Sequence, residues 1–182
     1  MALSSTLLRF DIELADIDRG VYETFDLRVP RHPSEGNTRV VVRMLALCLA
    51  HEDGLEFGGG LSLPEEPALW AKGPYGGVAL WIDVGVPSAE RLHRANKHAE
   101  RVMIYSQKAS DVLGRAWSGQ RIHQPETIQV VVLDHALVDG LAERIDRQNR
   151  WMVTHHDGAL NVSVDSWTAT ADVTAMTLSE IA

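Results

Sequence analysis

The chain opens with an alternation of apolar and charged side chains. This two-residue period over residues 5–15 is typical of a strand with one buried face. The apolar positions of the run are Leu8, Phe10, Ile12 and Leu14. A second alternating run closes at Pro30, and acidic residues with a glycine in the segment 16–20 supply the turn between the two runs. We therefore predict an antiparallel hairpin of residues 5–30.

A nearly unbroken apolar run covers residues 78–86 and carries one carboxylate, Asp83, near its far end. Such a run is typical of a strand that is buried on both faces of a mixed or parallel sheet. A helix is expected to begin at Pro87 and Ser88, and the segment 101–106 predicts another strand. This order indicates a strand–helix–strand unit with parallel strands and a right-handed crossover.

Helical and strand-like periods elsewhere in the sequence predict the remaining elements. Ser34 is interpreted as the N-cap of a helix that ends near Asp53. The remaining predicted elements are strands near 55–57 and 68–70, a helix over 110–119, a strand over 127–133, a helix over 136–148 and a hairpin of 151–154 with 159–164. The Thr- and Ala-rich tail after Trp167 is expected to fray.

Together these elements predict one α/β domain over residues 1–182, with a mixed central sheet flanked by helices. Its parts are the N-terminal hairpin of 5–30, a core of 34–106, and C-terminal helices and a hairpin within 107–182. The 182 residues, with 45% hydrophobic and 23% charged side chains, match an ordinary soluble globular protein.

Charge and cysteine content narrow the expected partners and location. With 17 Lys and Arg against 25 Asp and Glu, the net charge is −8, so the whole molecule repels polyanions unless a local basic patch overrides this field. Cys48 is the single cysteine, which excludes an internal disulfide and fits a reducing cytosol. No apolar run is long enough to span a membrane and no secretory signal is evident. We expect a cytoplasmic protein without a membrane partner.

Asp83 is the residue that most needs a chemical explanation. A lone ionised carboxylate in an apolar strand costs several kcal/mol unless it is paired, hydrogen-bonded or bound to metal. Near the carboxyl end of its strand it lies where α/β sheets place ligands. A basic segment follows directly, with cations at Arg91, Arg94, Lys97 and Arg101.

The order helix, strand, strand, strand, helix, strand over residues 34–106 resembles the restriction-endonuclease-like PD-(D/E)XK superfamily. In that superfamily carboxylates hold Mg²⁺ or Mn²⁺, and a lysine steadies the attacking water. The resemblance implies three metal ligands here: Glu35, Glu66 and Asp83. Gly85 stands where the lysine of the motif is expected, so a cation would come from the next helix. The implied catalytic residues are Asp83 and Glu66 with Arg94 and Lys97.

More specifically, the whole chain resembles the bacterial YaeQ family. The segments that carry the resemblance are Ala15-Asp16-Ile17-Asp18-Arg19, Arg31-His32-Pro33-Ser34-Glu35, Glu65-Glu66-Pro67-Ala68-Leu69-Trp70, Leu80-Trp81-Ile82-Asp83-Val84-Gly85-Val86-Pro87, and Arg91-Leu92 followed by Arg94-Ala95. The resemblance implies a variant restriction-endonuclease-like fold with an added N-terminal hairpin and C-terminal additions. Family members usually have Lys in place of Arg94 and often Glu in place of Asp83, and Arg lacks the tunable pKa of Lys.

Each candidate also has a structural interpretation. Asp83 could form an ion pair with Arg94, and Glu66 could belong to a polar turn. For Glu35 the favoured role is to complement the helix dipole and pair with Arg39. The segment 155–157, His-His-Asp, could suggest a metal cluster, but adjacent histidines on a strand point to opposite faces, so a hairpin turn is favoured.

Two functions remain open. The first is a divalent-metal-dependent phosphodiesterase or nuclease that uses Mg²⁺ or Mn²⁺ and no organic cofactor. The alternative is a non-catalytic binding or interaction module that retains a nuclease-like fold, which the net charge and Gly85 favour. The expected partner is a nucleic acid or another phosphodiester at a local cleft, or a protein.

Overall fold

The computed structural model describes residues 6–59, 61 and 63–182. The helices within these residues are α1 (Asn37–Leu49), α2 (Ala89–His98), α3 (Ser110–Trp117) and α4 (His135–Ala142). The strands are β1 (Thr6–Asp16), β2 (Val21–Arg31), β3 (Leu55–Phe57), β4 (Leu69–Lys72), β5 (Val78–Val84), β6 (Ala99–Ser106), β7 (Gln129–Val132), β8 (Gln148–His156), β9 (Ala159–Val164), β10 (Trp167–Asp172) and β11 (Thr174–Thr177).

The chain forms two compact units, each made of separate stretches of sequence. The first unit comprises Met1–His51 and Asp134–Val173, and the second comprises Glu52–Leu133 and Thr174–Ala182. The first contains α1, α4 and a five-stranded sheet in the order β10-β9-β8-β1-β2. The second contains α2, α3 and a six-stranded sheet in the order β11-β7-β6-β5-β4-β3.

The mixed α/β class is therefore confirmed, but the prediction of one central sheet is wrong. The two terminal hairpins do not decorate a common sheet. Instead they form one sheet together, in which β1 pairs in parallel with β8. On the outer sides of this pair, β2 is antiparallel to β1 and β9 is antiparallel to β8. Parallel strands cannot be joined by a tight turn, and here the partners are 139 residues apart at the Asp16–His155 pair.

The core of the first unit follows from the alternation in its strands. The apolar side chains of β1 that alternation assigns to one face are all buried, and Phe10 meets Trp151 edge-to-face with ring centroids 5.3 Å apart. Helix α1 is buried from Val40 to its end, as expected for a helix with so few charged residues. The Asn37 side chain donates to the carbonyl of Ala142 at 3.0 Å, which fastens α1 to the end of α4.

The second unit contains the predicted strand–helix–strand unit. Strands β5 and β6 are parallel and α2 connects them, as the apolar run and the following periodic segment indicated. The side chain of Ser88 caps α2 by accepting from the backbone N–H of Arg91 at 3.2 Å. Leu92 and Ala95 of α2 belong to the same buried cluster as Val102 and Trp117, so one apolar stripe positions the whole helix.

The predicted boundaries of α1 and α4 are wrong. Ser34 does not cap α1: Gly36 is the residue before that helix, and the Ser34 hydroxyl instead lies 2.6 Å from His32 Nδ1. Helix α4 stops at Ala142 rather than near 148, because residues from Gln148 onward pair with β1.

The Thr- and Ala-rich tail does not fray. Its segments pair as β10 and β11, each at the edge of one sheet. Thr168 and Thr170 of β10 contact the side chains of Ser163 and Asn161 across the strand pair at 2.8 and 2.6 Å. Among the residues that the structure describes, no helix has the length and apolar character needed to cross a bilayer.

Candidate functional site

Asp83 lies at the carboxyl end of β5 with only 4% of its surface exposed. Its carboxylate accepts three hydrogen bonds from side chains of the second unit. Oδ2 accepts from the indole N–H of Trp81 at 2.9 Å and from Nε of Arg91 at 2.8 Å, and Oδ1 accepts from Nη2 of Arg91 at 2.8 Å. The pair is thus bidentate, the strongest geometry for a guanidinium and a carboxylate.

Arg91 also holds a second segment of the chain. Its Nη2 donates to the backbone carbonyl of Glu66 at 2.7 Å, and Nη1 donates to the carbonyl of Pro64. The guanidinium carbon lies 5.3 Å from the centre of the Trp81 ring. The hydrogen bond to Asp83 raises the pKa of the Arg91 guanidinium above its ordinary value, so this group stays charged. We call the arrangement of Trp81, Asp83 and Arg91 with the carbonyls of Pro64 and Glu66 the Arg91 clasp.

The clasp corrects the expected partner of Asp83. The sequence suggested Arg94 as the structural partner, yet the ion pair is with Arg91. Helical side chains tilt toward the amino end of their helix, so a residue in the first turn of α2 reaches back to the end of β5. Arg94 is one turn further on and approaches Glu65 instead, at 3.6 Å.

The predicted metal ligands are each engaged by protein groups. Glu66 accepts from the backbone N–H of Gly59 at 2.6 Å through Oε2. Glu35 belongs to the first unit, one residue before Gly36 rather than on the helix as predicted, and pairs with Arg43 at 2.9 Å and Arg39 at 3.6 Å. The pairing with Arg39 was expected from the sequence spacing.

The oxygen atoms of the clasp are the type that a hard divalent cation prefers. They are two carboxylate oxygens and two backbone carbonyl oxygens. With the side chains as they stand, the Arg91 guanidinium takes the central position, and a metal ion would have to displace it to reach Asp83. The clasp therefore suits an arginine better than Mg²⁺.

Gly85 has a backbone conformation that favours glycine. Its φ is +85°, in the left-handed region that side chains other than glycine rarely adopt. Its backbone N–H donates to the carbonyl of Tyr105 at 2.8 Å, which holds the turn from β5 toward α2 in place. The lysine that the superfamily resemblance implied at this position would be strained, so this turn favours glycine.

A cavity of about 290 Å³ lies beside the clasp, within the second unit. The side chains that line it are Glu65, Trp81, Arg91, Arg94, Ala95 and His98. Arg94 and His98 are exposed, as is Lys97 on the same helix. On the same helix, desolvation and, after it, the charge of Lys97 lower the pKa of His93. The structure thus brings Arg94 close to the Asp83 region and leaves Lys97 on the helix surface nearby.

The likeness to known proteins extends along nearly the whole chain. The family described as "YaeQ protein" matches residues 1–173. The chain belongs to the YaeQ family. The uncharacterized protein YaeQ of Salmonella typhi is 32% identical over 170 residues, which cover 90% of this chain and 91% of the relative. The protein of the same name from Escherichia coli K12 is 28% identical over 177 residues, covering 96% and 97%.

Solved YaeQ structures have the same fold. The crystal structure of the YaeQ protein from Pseudomonas syringae superposes with a TM-score of 0.83 at 31% identity, covering 95% of this chain and 96% of that one. The YaeQ protein from Xanthomonas axonopodis pv. citri gives 0.79 at 30% identity, covering 96% and 98%. The resemblance to YaeQ seen in the sequence is therefore confirmed.

Sequence reasoning missed Arg91 and Trp81 as parts of this site. A signal was present: Ser88 predicts where α2 begins, so Arg91 had to lie in its first turn beside the strand end. The Trp81 indole, two residues before Asp83, points to the same face of β5 as that carboxylate.

Proposed function

We propose that this protein binds a phosphodiester ligand, a nucleic acid strand, at the cavity beside the Arg91 clasp, and does not hydrolyse it. The observation that carries the proposal is the bidentate Asp83–Arg91 pair. A metal-dependent nuclease-like site needs its acids free to hold an ion, whereas here an internal cation neutralises the acid of β5.

Around the clasp, α2 presents the groups that phosphate binding requires. Residues 91–98 contain three Arg or Lys and two His but no Asp or Glu. Arg91 is committed to the clasp, which leaves Arg94, Lys97 and His98 at the surface, with Glu65 3.6 Å from Arg94. Arginine and lysine bind phosphate oxygens.

The small number of cations sets the expected strength. Two or three phosphate contacts predict a slope of log K against log salt of about −1.4 to −2.1 for a single strand, far shallower than for strongly basic nucleic-acid binders. The net charge of −8 weakens binding further. We therefore expect modest affinity that is measurable at low salt and depends on the α2 surface.

Fluorescence anisotropy with a labelled single-stranded oligonucleotide, at several salt concentrations, tests the proposal. We expect Arg94→Ala with Lys97→Ala to weaken binding at least about tenfold and to flatten the salt slope by about 0.7 for each lost contact. The matched control is Arg115→Ala, which removes an exposed arginine paired with Asp111 on α3. An equal loss in the control and in the α2 variant, or no saturable binding by the wild type, would refute the proposal.

The second candidate is divalent-metal-dependent phosphodiester hydrolysis, the function that the superfamily resemblance implies. One observation favours it: Arg91 contacts both the Asp83 carboxylate and the Glu66 carbonyl, so two motif segments meet at one place. Calorimetry with Mg²⁺ and Mn²⁺ distinguishes the candidates. Saturable binding that is lost in Asp83→Asn would favour hydrolysis and justify a substrate screen. Binding that arises only in Arg91→Met would mean that the guanidinium excludes the ion, as the binding proposal requires.

A further inference from the structure

A second cluster of polar residues lies in the first unit, outside the site described above. Because β1 and β8 are parallel neighbours, their carboxyl ends meet at the same edge of the sheet. The residues that follow β1, including Asp18, therefore meet the end of β8 and its turn, with His155, His156 and Asp157. These are two sequence segments whose residues the proposed function does not use.

The turn between β8 and β9 is the predicted two-residue hairpin. Asp157 and Gly158 have φ values of +50° and +73°, the conformation of the tight turn that the Asp-Gly pair predicts. Asp18 fastens this turn, since its Oδ1 accepts from the backbone N–H of Asp157 at 2.8 Å and its Oδ2 from that of Gly158 at 3.0 Å. These hydrogen bonds lower the pKa of Asp18, so its carboxylate is ionised at neutral pH.

Each oxygen of Asp18 keeps a further lone pair, and imidazole nitrogens lie near both. His156 Nδ1 is 3.9 Å from Oδ1 of Asp18 and 3.6 Å from Oδ2 of Asp157. Among the described residues, Asp18, His156 and Asp157 are the one group of three or more His, Cys, Asp or Glu side chains whose ligand atoms all lie within 4.8 Å of each other.

We propose that Asp18, His156 and Asp157 bind a divalent transition-metal ion at this edge of the first sheet. Ligand atoms about 2.1 Å from a metal ion are separated by roughly 3.0 Å in an octahedron and 3.4 Å in a tetrahedron. The observed separations exceed these by less than 1 Å for the two His156 contacts. Rotations of exposed side chains close such a gap, and the backbone turn that holds them does not have to move.

His155 and Asp16 add an inner layer to the cluster. Asp16 is fully buried, and its Oδ1 lies 3.1 Å from His155 Nδ1, while Arg19 pairs with its Oδ2 at 2.6 Å. The Nε2 of His155 in turn faces Oδ2 of Asp18 at 3.7 Å. A carboxylate behind a histidine is how metal sites commonly fix the orientation of their ligands. Here His155 and His156 approach different oxygens of the Asp18 carboxylate.

The donor set indicates the class of ion. One imidazole nitrogen and two carboxylate oxygens suit Zn²⁺, Mn²⁺ or Ni²⁺, whereas Mg²⁺ and Ca²⁺ prefer oxygen ligands alone. Three protein ligands leave coordination positions for water or for a further ligand, and the exposure of the cluster makes it accessible. This inference is independent of the proposed function, because its residues all belong to the first unit.

Calorimetric titration of EDTA-treated protein without a histidine tag tests the site, with Zn²⁺ and Mn²⁺ as probes. The variants are His156→Ala and Asp157→Asn, since asparagine tolerates the left-handed φ at that position. Asp18 is left intact because it anchors the turn. The matched control is His135→Ala, which removes an exposed histidine that lies 3.2 Å from Asp139 on α4. Circular dichroism verifies that each variant is folded.

We expect one ion per chain, bound at least about tenfold more weakly by His156→Ala and more weakly by Asp157→Asn, with His135→Ala unchanged. Asp83→Asn is expected to bind as the wild type does. Affinity that is the same in His156→Ala, or that is lost in Asp83→Asn, overturns this site, and the latter result instead favours an ion at the Arg91 clasp. Absence of saturable binding by the wild type overturns it as well.

Discussion

Replacing Arg91 tests whether the clasp supports the second unit. Arg91→Met keeps an unbranched apolar side chain but removes the guanidinium that lies over the Trp81 ring. Asp83, whose side chain is 5% exposed, would then retain only the Trp81 N–H among the three donors described above. Removing one partner of a buried ion pair typically costs about 3–5 kcal/mol of unfolding free energy. We expect a loss in this range.

A double-mutant cycle separates the pair from its surroundings. Asp83→Asn removes the charge of the acid and is expected to cost about 2–3 kcal/mol, because charged hydrogen bonds are lost. In the double variant neither charge is buried alone, so its cost should fall below the sum of the single costs by about 2 kcal/mol or more. The carbonyls of Pro64 and Glu66 still lose their donor in the double variant, so that variant remains less stable than the wild type.

Urea denaturation followed by circular dichroism measures these free energies, with equal m-values as the condition for comparing them. Arg115→Met is the control: its pair with Asp111 has both side chains more than 70% exposed, and its loss should cost less than about 0.5 kcal/mol. Additive single costs, or a cost for Arg91→Met no greater than that of the control, would show that the clasp is not a coupled buried pair.

Three further predictions follow from local geometry. Gly85→Ala should lower the unfolding free energy by about 1–2 kcal/mol through its left-handed φ, and a wild-type urea midpoint would contradict this. Gly114→Ala would ordinarily stabilise a helix by about 1 kcal/mol, but its Cβ would collide with the carbonyl oxygen of Ile181, so we expect a lower thermal midpoint; a higher one would mean that the C-terminal segment moves away at little cost. Asp18→Asn should destabilise the protein at neutral pH in the presence of EDTA, because the hydrogen bonds that lower the pKa of Asp18 favour its ionised form. This stabilisation is fully present above about pH 4, where an unfolded aspartate is ionised, and is lost as pH falls through the lowered folded value, so the difference from wild type in thermal melts should vanish in acid rather than persist.

The elements that the sequence predicted well are those with a clear local period. Alternation identified the first hairpin, and the apolar run with the Ser88 cap identified the β5–α2–β6 unit. The tail was misjudged because its Thr and Ala residues lack an apolar face, yet β10 and β11 gain stability by pairing at sheet edges. Threonine favours strands, and this preference outweighed the tendency of a chain end to fray.

The pairing between distant segments could not be predicted. Nothing in the local pattern near Asp16 points to His155, since register between strands far apart in sequence depends on the whole sheet. The same holds for Arg91, whose contacts with Pro64 and Glu66 depend on how the segment before β4 folds back. The burial of Asp83 in an apolar strand correctly indicated that it needs a partner, but the expected partner Arg94 was wrong, since the ion pair is with Arg91.

The parallel pairing of β1 with β8 also determines how late in translation the first sheet can be completed. The first hairpin is complete once Arg31 has been synthesised, but β8 ends at His156, 125 residues later. At about 5–20 residues per second this interval is roughly 6–25 s, during which one edge of β1 lacks its partner strand. An open edge is a template for pairing with other chains. The charged residues that alternate through β1 would limit such pairing while ribosomes complete the chain, so the same alternation that builds the core also protects the nascent protein.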